Sequence, residues 1–139
     1  MSISHLAFKA NQRSTQMAAA KEKEAWLALY DSHAIIRDPV GKSPLDPEGK
    51  GHQGQAAISQ FWDQVIAPAS MKITIESTIP SGPLACAVVQ SVSNELPSGQ
   101  LTVIKMIASY HVNQAGLITE MNAYWDFDDL IKQLSNHTQ

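Results

Sequence analysis

The stretch Ile35-Ile36-Arg37-Asp38-Pro39-Val40-Gly41 places one carboxylate at the end of a short apolar run. Because the residue before a proline is pushed away from helical backbone angles, we expect Asp38 to lie at a strand end or in a tight bend. Capping a turn is the ordinary role of an aspartate in this position. The alternative is a carboxylate that faces inward and acts on a ligand.

Helical patterns flank this stretch on both sides. Apolar residues recur at helical spacing over residues 22–30 and again over residues 54–66, where Pro68 ends the pattern. A looser helical stripe covers about residues 4–19. Proline and glycine are frequent over residues 42–53, which are therefore predicted as a loop.

After residue 70 the hydrophobic pattern changes from a helical period to a period of two. This alternation, interrupted by turns, predicts strands over residues 72–77, 84–93, 101–112 and 116–125. The tail, residues 127–139, is predicted as the start of a solvated helix with a frayed end. Three helices followed by antiparallel strands indicate an α+β fold, with the helices on one face of a curved sheet and a cavity between them.

Composition excludes several classes of protein. The 139 residues suit one domain over 1–139. The net charge is −3 and the Lys and Arg residues are scattered, so we expect no nucleic-acid partner. No apolar run is long enough for a membrane span. The single cysteine, Cys86, fits a reducing cytoplasm and is predicted to fill the core.

Two motifs resemble the ketosteroid isomerase-like (SnoaL-like) branch of the nuclear transport factor 2-like superfamily. The first has the spacing Tyr-x-x-x-Ala-x-x-x-Asp-Pro-x-Gly and runs from Tyr30 to Gly41; the second is Met-Asn-Ala-Tyr-Trp, ending at Trp125. The resemblance implies a cone-shaped, cystatin-like fold, a cavity for a hydrophobic ligand and a homodimer. It also implies that Asp38 occupies the place of the isomerase's proton-shuttling base.

Two positions depart from that family pattern. Ser14 stands where the isomerase has a tyrosine, and Ala108 stands where it has a protonated aspartic acid. In the isomerase these two side chains stabilise the substrate oxygen. Because the loss of one such donor costs about 3 kcal/mol of transition-state stabilisation, we expect this chain to be a poor or inactive steroid isomerase.

The alternation of the strands predicts which side chains face the cavity. If Ala108 and Trp125 face inward, so do the residues two positions away on the same strands. The predicted ligand-binding set is Ser14, Met17, Trp62, Met106, Ala108, Met121 and Trp125, with Tyr110 beside it. The large apolar members of this set are also compatible with an ordinary core.

His52 lies in the loop and changes charge near neutral pH. It is either a solvated histidine or a general acid or base held over the cavity mouth. Since Ser14 and Ala108 cannot polarise a carbonyl, Tyr110 or His52 is predicted to do so. The spacing of Asp46, Glu48 and His52 matches no zinc or calcium pattern, and neither a metal nor a cofactor is predicted.

Two functions remain open at this stage. The first is an isomerase or lyase that acts on a small hydrophobic carbonyl compound with Asp38 as its base. The second is a non-catalytic module that binds the same class of ligand. Exposed apolar residues of the outer sheet face, among them Val103, Ile107 and Tyr124, are predicted to form the homodimer.

Overall fold

The computed structural model describes residues 5–137. Within this range, the α-helices are Leu6–Ala19 (α1), Lys23–Leu27 (α2), Gly54–Phe61 (α3) and Phe127–His137 (α4). The strands are Tyr30–Arg37 (β1), His52–Gln53 (β2), Met71–Ser81 (β3), Ala85–Glu95 (β4), Leu101–Val112 (β5) and Ile118–Tyr124 (β6). A π-helical turn, Trp62–Ile66, continues α3.

The strands form one sheet in the order β2-β1-β6-β5-β4-β3. Neighbouring strands are antiparallel except β1 and β6, which run parallel. Helices α1 and α3 pack on the sheet, α1 against β3 and β5 and α3 against β1. The predicted α+β cone, with helices on one face of a curved and mostly antiparallel sheet, is confirmed.

The structure corrects the sequence prediction around residue 30. The second helix, predicted to reach Tyr30, already ends at Leu27, and Tyr30 is the first residue of β1. The aromatic and β-branched residues of this segment fit the parallel pairing with β6, in which Ile36 lies opposite Met121. Asp38 follows the last residue of β1, so its predicted place at a strand end is correct.

The tail forms a helix, as predicted. Helix α4 lies against β5, where the Gln133 side chain bonds to the backbone of Val103 through two hydrogen bonds of 2.8 Å. One is donated by the Val103 N–H and the other is accepted by the Val103 carbonyl. Phe127 and Leu130 of α4 line the cavity, so the predicted helix contacts the interior; the predicted frayed end, residues 138–139, lies outside the described residues.

The inner face of the sheet follows the predicted alternation on β5. Every second residue of this strand is buried, and the set is Thr102, Ile104, Met106, Ala108, Tyr110 and Val112. On β6 the alternation is broken by a register shift against β5 near His111, so that Ile118 rather than Thr119 is buried. None of the helices found in residues 5–137 is both long and apolar enough to cross a membrane.

Candidate functional site

A cavity of about 330 Å³ lies between the helices and the concave face of the sheet. This volume is at the lower end of the range for small-molecule sites. Most of the lining side chains are apolar, and they include Phe61, Val65, Ile104, Met106, Met121 and Leu130. A few polar groups project between them, and they decide what the cavity can do chemically.

The carboxylate of Asp38 is one of these polar groups. It follows β1 and accepts a hydrogen bond of 2.6 Å from the indole N–H of Trp125. Asp38 is partly buried, and it lines the cavity. Burial raises the pKa of Asp38 to about 6, and the hydrogen bond from Trp125 opposes this rise. A carboxylate with a raised pKa is a stronger base than one in water.

The neighbouring Arg37 does not neutralise Asp38. Its guanidinium extends to the other face of the sheet, where it contacts Glu120 at 2.7 Å and Asn122 at 2.8 Å. Because successive side chains of an extended segment point to opposite faces, the side chains of Arg37 and Asp38 diverge. Asp38 therefore keeps its negative charge available to a ligand.

A cluster of three hydrogen-bonded side chains lines another part of the cavity. The indole N–H of Trp26 donates to the Ser14 hydroxyl at 3.1 Å, and that hydroxyl lies 3.3 Å from the hydroxyl of Tyr30. The two hydroxyl groups carry two hydrogens, of which their mutual bond uses one. Ser14 and Tyr30 both line the cavity, where Ser14 also interacts with the hydroxyl of Tyr110.

Tyr110 adds a second phenol to the cavity lining. Its side chain is almost completely buried, and burial raises the pKa of Tyr110 to about 12, against smaller opposing effects from Asn11 and Ser14. Burial also raises the pKa of Tyr30 well above its ordinary value. Both phenols are therefore neutral at pH 7 and serve as hydrogen-bond donors rather than as bases.

Six of the residues singled out in the sequence line the cavity together. These are Ser14, Asp38, Met106, Tyr110, Met121 and Trp125. They come from α1, from β5 and β6, and from the positions that directly follow β1 and β6. The sheet brings them together because β6 lies between β1 and β5.

Three residues of the predicted ligand-binding set lie behind the cavity surface. Met17 falls at the edge of the buried stripe of α1, which passes through Ser14 and Ala18 instead. Trp62 lies in the core against Trp26, with ring centroids 5.1 Å apart. Ala108 is fully buried, and its methyl group is too short to reach the cavity. These three predicted cavity positions are corrected accordingly.

His52 does not line the cavity either. It belongs to β2, opposite Ile36 of β1, and its ring packs on Phe61 with centroids 4.9 Å apart. Burial lowers the pKa of His52, and the charge of Asp46 opposes this effect. The strand pairing fixes the imidazole behind Phe61, so the predicted position over the cavity mouth is not observed.

The loop before β2 reaches the cavity through another residue. Leu45 is part of the lining. The loop is held by the Asp46 carboxylate, which accepts a hydrogen bond of 2.7 Å from the Gly51 N–H. Asp46 therefore acts as a structural link within the loop, and Glu48 forms a solvent-exposed pair with Lys50.

Sequence reasoning missed several polar residues of the cavity lining, namely Thr15, Tyr30, Gln64, Gln90, Asn94 and Thr102. Tyr30 was recognised only as part of a motif, because the helical pattern before it hid the start of a strand. Gln90 lines the cavity from β4. The signal for Gln90 was present, since it continues the inward alternation of Cys86 and Val88.

Comparisons with known proteins agree with this geometry. Residues 12–121 match the family model described as SnoaL-like domain. Sequence comparison with curated proteins finds no match. A structure of Rv0760c from Mycobacterium tuberculosis in complex with estradiol-17beta-hemisuccinate is 37% identical, with a TM-score of 0.84 over 89% of this chain and 96% of that chain.

Two further solved structures are similar over nearly their whole length. A computationally designed 17-OHP binder is 34% identical, with a TM-score of 0.84 over 89% of this chain and 95% of that chain. The Delta 5-3-ketosteroid isomerase from Mycobacterium sp. is 32% identical, also with a TM-score of 0.84, over 90% of this chain and 96% of that chain.

Proposed function

We propose that this chain moves a proton from one carbon to another on a small hydrophobic carbonyl compound of steroid-like shape. The chain belongs to the SnoaL-like domain family and to its ketosteroid isomerase-like branch. The observation that carries the proposal is the Asp38 carboxylate, which faces an apolar cavity with a pKa raised to about 6. Structural neighbours that bind or isomerise steroids support the same class of ligand.

The reaction would proceed in two proton transfers. Ionised Asp38 removes a proton from the carbon next to the ligand carbonyl, and the electron pair of that C–H bond moves into an enolate. The same carboxyl group then returns the proton to another carbon of the conjugated system. No atom is gained or lost, so the net change is an isomerisation.

The enolate oxygen needs a hydrogen-bond donor while the proton is on Asp38. We assign this role to a hydroxyl of the Ser14–Tyr30 pair or to the hydroxyl of Tyr110, which line the same cavity. Because burial keeps both phenols weakly acidic, they share less charge with the enolate than a protonated aspartic acid would. We therefore expect turnover well below that of a dedicated isomerase.

A non-catalytic binding module is the second candidate. The observation that favours it is the replacement of the family's two oxyanion donors by Ser14 and Ala108. Under this alternative, the cavity would bind the ligand and the Asp38 carboxylate would accept a hydrogen bond from it. No proton would be moved from one carbon of the ligand to another.

One experiment separates the two candidates. A Δ5-3-ketosteroid is incubated with wild type and with Asp38→Asn, binding is measured by calorimetry, and conversion to the conjugated ketone is followed by absorbance. The enzyme predicts binding by both proteins and slow conversion by wild type alone. Binding without conversion by either protein supports the module, and conversion that survives Asp38→Asn contradicts the assigned base.

We also propose a homodimer formed through the outer face of the sheet, in a protein of the cytoplasm. Leu101, Val103, Ile107 and Tyr124 each expose half or more of their surface there. The exposed apolar side chains are interspersed with polar ones, as in many subunit contacts. The cytoplasmic location rests on Cys86, the single cysteine of the sequence.

A further inference from the structure

Gln90 is a polar side chain in an apolar part of the cavity lining. It lies on the inner face of β4, in register with Met106 of β5, and it follows Cys86 and Val88 on that face. Only 4% of its surface is exposed. Apolar residues normally occupy such positions, because a buried amide must find hydrogen-bond partners to replace water.

The amide of Gln90 is only half satisfied by the protein. Its nitrogen donates to the sulfur of Met106 at 3.6 Å, which is a weak acceptor. Its oxygen is buried, and no group within residues 5–137 donates a hydrogen bond to it. A buried carbonyl oxygen without a donor destabilises the folded state, and the side chain that carries this oxygen lines the cavity.

We propose that the Gln90 oxygen accepts a hydrogen bond from a hydroxyl group of the ligand and so selects hydroxylated compounds. This inference rests on the proposed function, because it takes the cavity as the ligand site. It adds a second polar contact to the one made by Asp38. The ligand class is thereby narrowed to fused-ring compounds that carry a hydroxyl group as well as the carbonyl.

The sheet sets the separation between the two contacts. Asp38 follows β1, and Gln90 lies on β4, three strands away in the order β1-β6-β5-β4. With neighbouring strands about 4.8 Å apart, this corresponds to roughly 14 Å along the sheet, and less across its concave face. A rigid ligand that touches both walls is fixed in one orientation, which an apolar cavity alone cannot achieve.

Three probes test the inference: 17β-estradiol, whose phenol stands in for the enol form of the carbonyl, and its two analogues that lack either the 3-hydroxyl or the 17-hydroxyl group. Their dissociation constants are measured by calorimetry with wild type, Gln90→Met and the surface control Gln16→Met. We expect that removal of the hydroxyl that donates to Gln90 weakens binding to wild type about tenfold. In Gln90→Met, estradiol should bind about tenfold more weakly, and removal of the same hydroxyl should cause no further loss.

The ligand-free proteins supply a second measurement. Gln90→Met removes the unpartnered oxygen while nearly conserving volume, so its melting temperature should rise by about 2–4 °C. A role in packing alone would predict a fall. Gln16 is exposed on α1, and its variant should retain the affinities and the melting temperature of wild type.

The possible failures are distinguishable. If removal of each hydroxyl changes the dissociation constant by the same factor in wild type and in Gln90→Met, the role of Gln90 is overturned. The proposed function is then left intact. Failure of wild type to bind any of the three probes overturns the steroid-like ligand and the role of Gln90 together. A lower melting temperature of ligand-free Gln90→Met contradicts the unsatisfied oxygen on which the inference depends.

Discussion

At the scale of single residues, the chemistry of the site depends on how Asp38 is held. Its carboxylate accepts a hydrogen bond from Trp125 and lines a mostly apolar cavity. Burial disfavours the charged form, and this cost is the source of its basicity. Function and stability therefore oppose each other at this position.

The first prediction concerns stability and pH. The pKa of Asp38 rises from 3.8 to about 6 on folding, so the folded state binds more protons than the unfolded state between these values. The penalty is absent below about pH 4, grows as the pH rises to 6 and is then constant, at most about 3 kcal/mol. Asp38→Asn should be more stable than wild type at pH 8, with the difference vanishing near pH 4.

Urea unfolding of both proteins across this pH range measures the effect. The variant keeps the size of the side chain, and its amide oxygen can still accept the hydrogen bond from Trp125. A difference in unfolding free energy that does not depend on pH would show that the carboxylate is solvated rather than buried.

The second prediction concerns the hydrogen bond that opposes the rise in pKa. Trp125→Phe removes the N–H donor that stabilises the charged carboxylate, so the pKa of Asp38 should rise by about one further pH unit. NMR titration of the Asp38 carboxyl carbon measures it directly. Trp62→Phe is the matched control because that indole lies against Trp26 in the core, and it should leave the titration unchanged.

Sequence alone could predict Asp38 but not its full set of partners. Proline after Asp38 restricts the backbone locally, so a short motif is enough to place it. The cluster of Ser14, Trp26 and Tyr30 depends on how α1 and α2 pack against β1, which no local pattern encodes. His52 was misplaced because its two-residue pairing with β1 leaves no recognisable alternation.

At the scale of elements, the loop before β2 is fixed by its glycines. Gly41 and Gly51 both have positive φ, at 96° and 82°. A Cβ atom at Gly41 would meet nothing within 4 Å, whereas one at Gly51 would lie 2.8 Å from the Ile35 side chain. Both glycines therefore adopt a positive φ, but a side chain would have room at Gly41 and would collide with Ile35 at Gly51.

The third prediction uses this pair. Gly41→Ala should cost about 1 kcal/mol of unfolding free energy from backbone strain. Gly51→Ala should cost roughly 1–3 kcal/mol more, because Ile35 must move. Urea unfolding of the two variants tests this, and equal losses would mean that the loop yields without disturbing β1.

The hairpins from β3 to β6 were predictable because each strand pairs with the next one along the chain. The parallel pairing of β1 with β6 was not predictable, since its partners Ile36 and Met121 are far apart in the sequence. The contact between helix α4 and β5 was not predicted for a similar reason. Its attachment depends on Gln133 meeting the backbone of Val103, and the polar composition around it suggests only a solvated segment.

At the scale of the whole molecule, the outer sheet face is the surface of the proposed dimer contact. Ile107 and Tyr124 are opposite each other on β5 and β6, and each exposes more than half of its surface. Residues Arg37, Glu120 and Asn122 form a hydrogen-bonded cluster on the same face. The face thus combines an apolar area with a fixed polar one, as subunit contacts commonly do.

The fourth prediction is the oligomeric state. Light scattering at micromolar concentration should give the mass of a dimer for wild type and of a monomer for Ile107→Lys, because a buried unpaired charge is unfavourable. Ile79→Lys is the control, since Ile79 is 61% exposed on β3 at the edge of the sheet. A monomeric wild type would refute the proposed dimer, and a monomeric Ile79→Lys would move the contact to the sheet edge.

The bond between Gln133 and Val103 also bears on how the chain avoids aggregation. Strand β5 extends past the last residue of β6, so its first residues have no strand partner on that side. An open edge of this kind is a template for pairing with another copy. Gln133 occupies it by presenting one donor and one acceptor to Val103, as a neighbouring strand would. During synthesis α4 is made after β5. The unpaired edge of β5 is therefore open to pairing with another copy until α4 has been made and has packed against it.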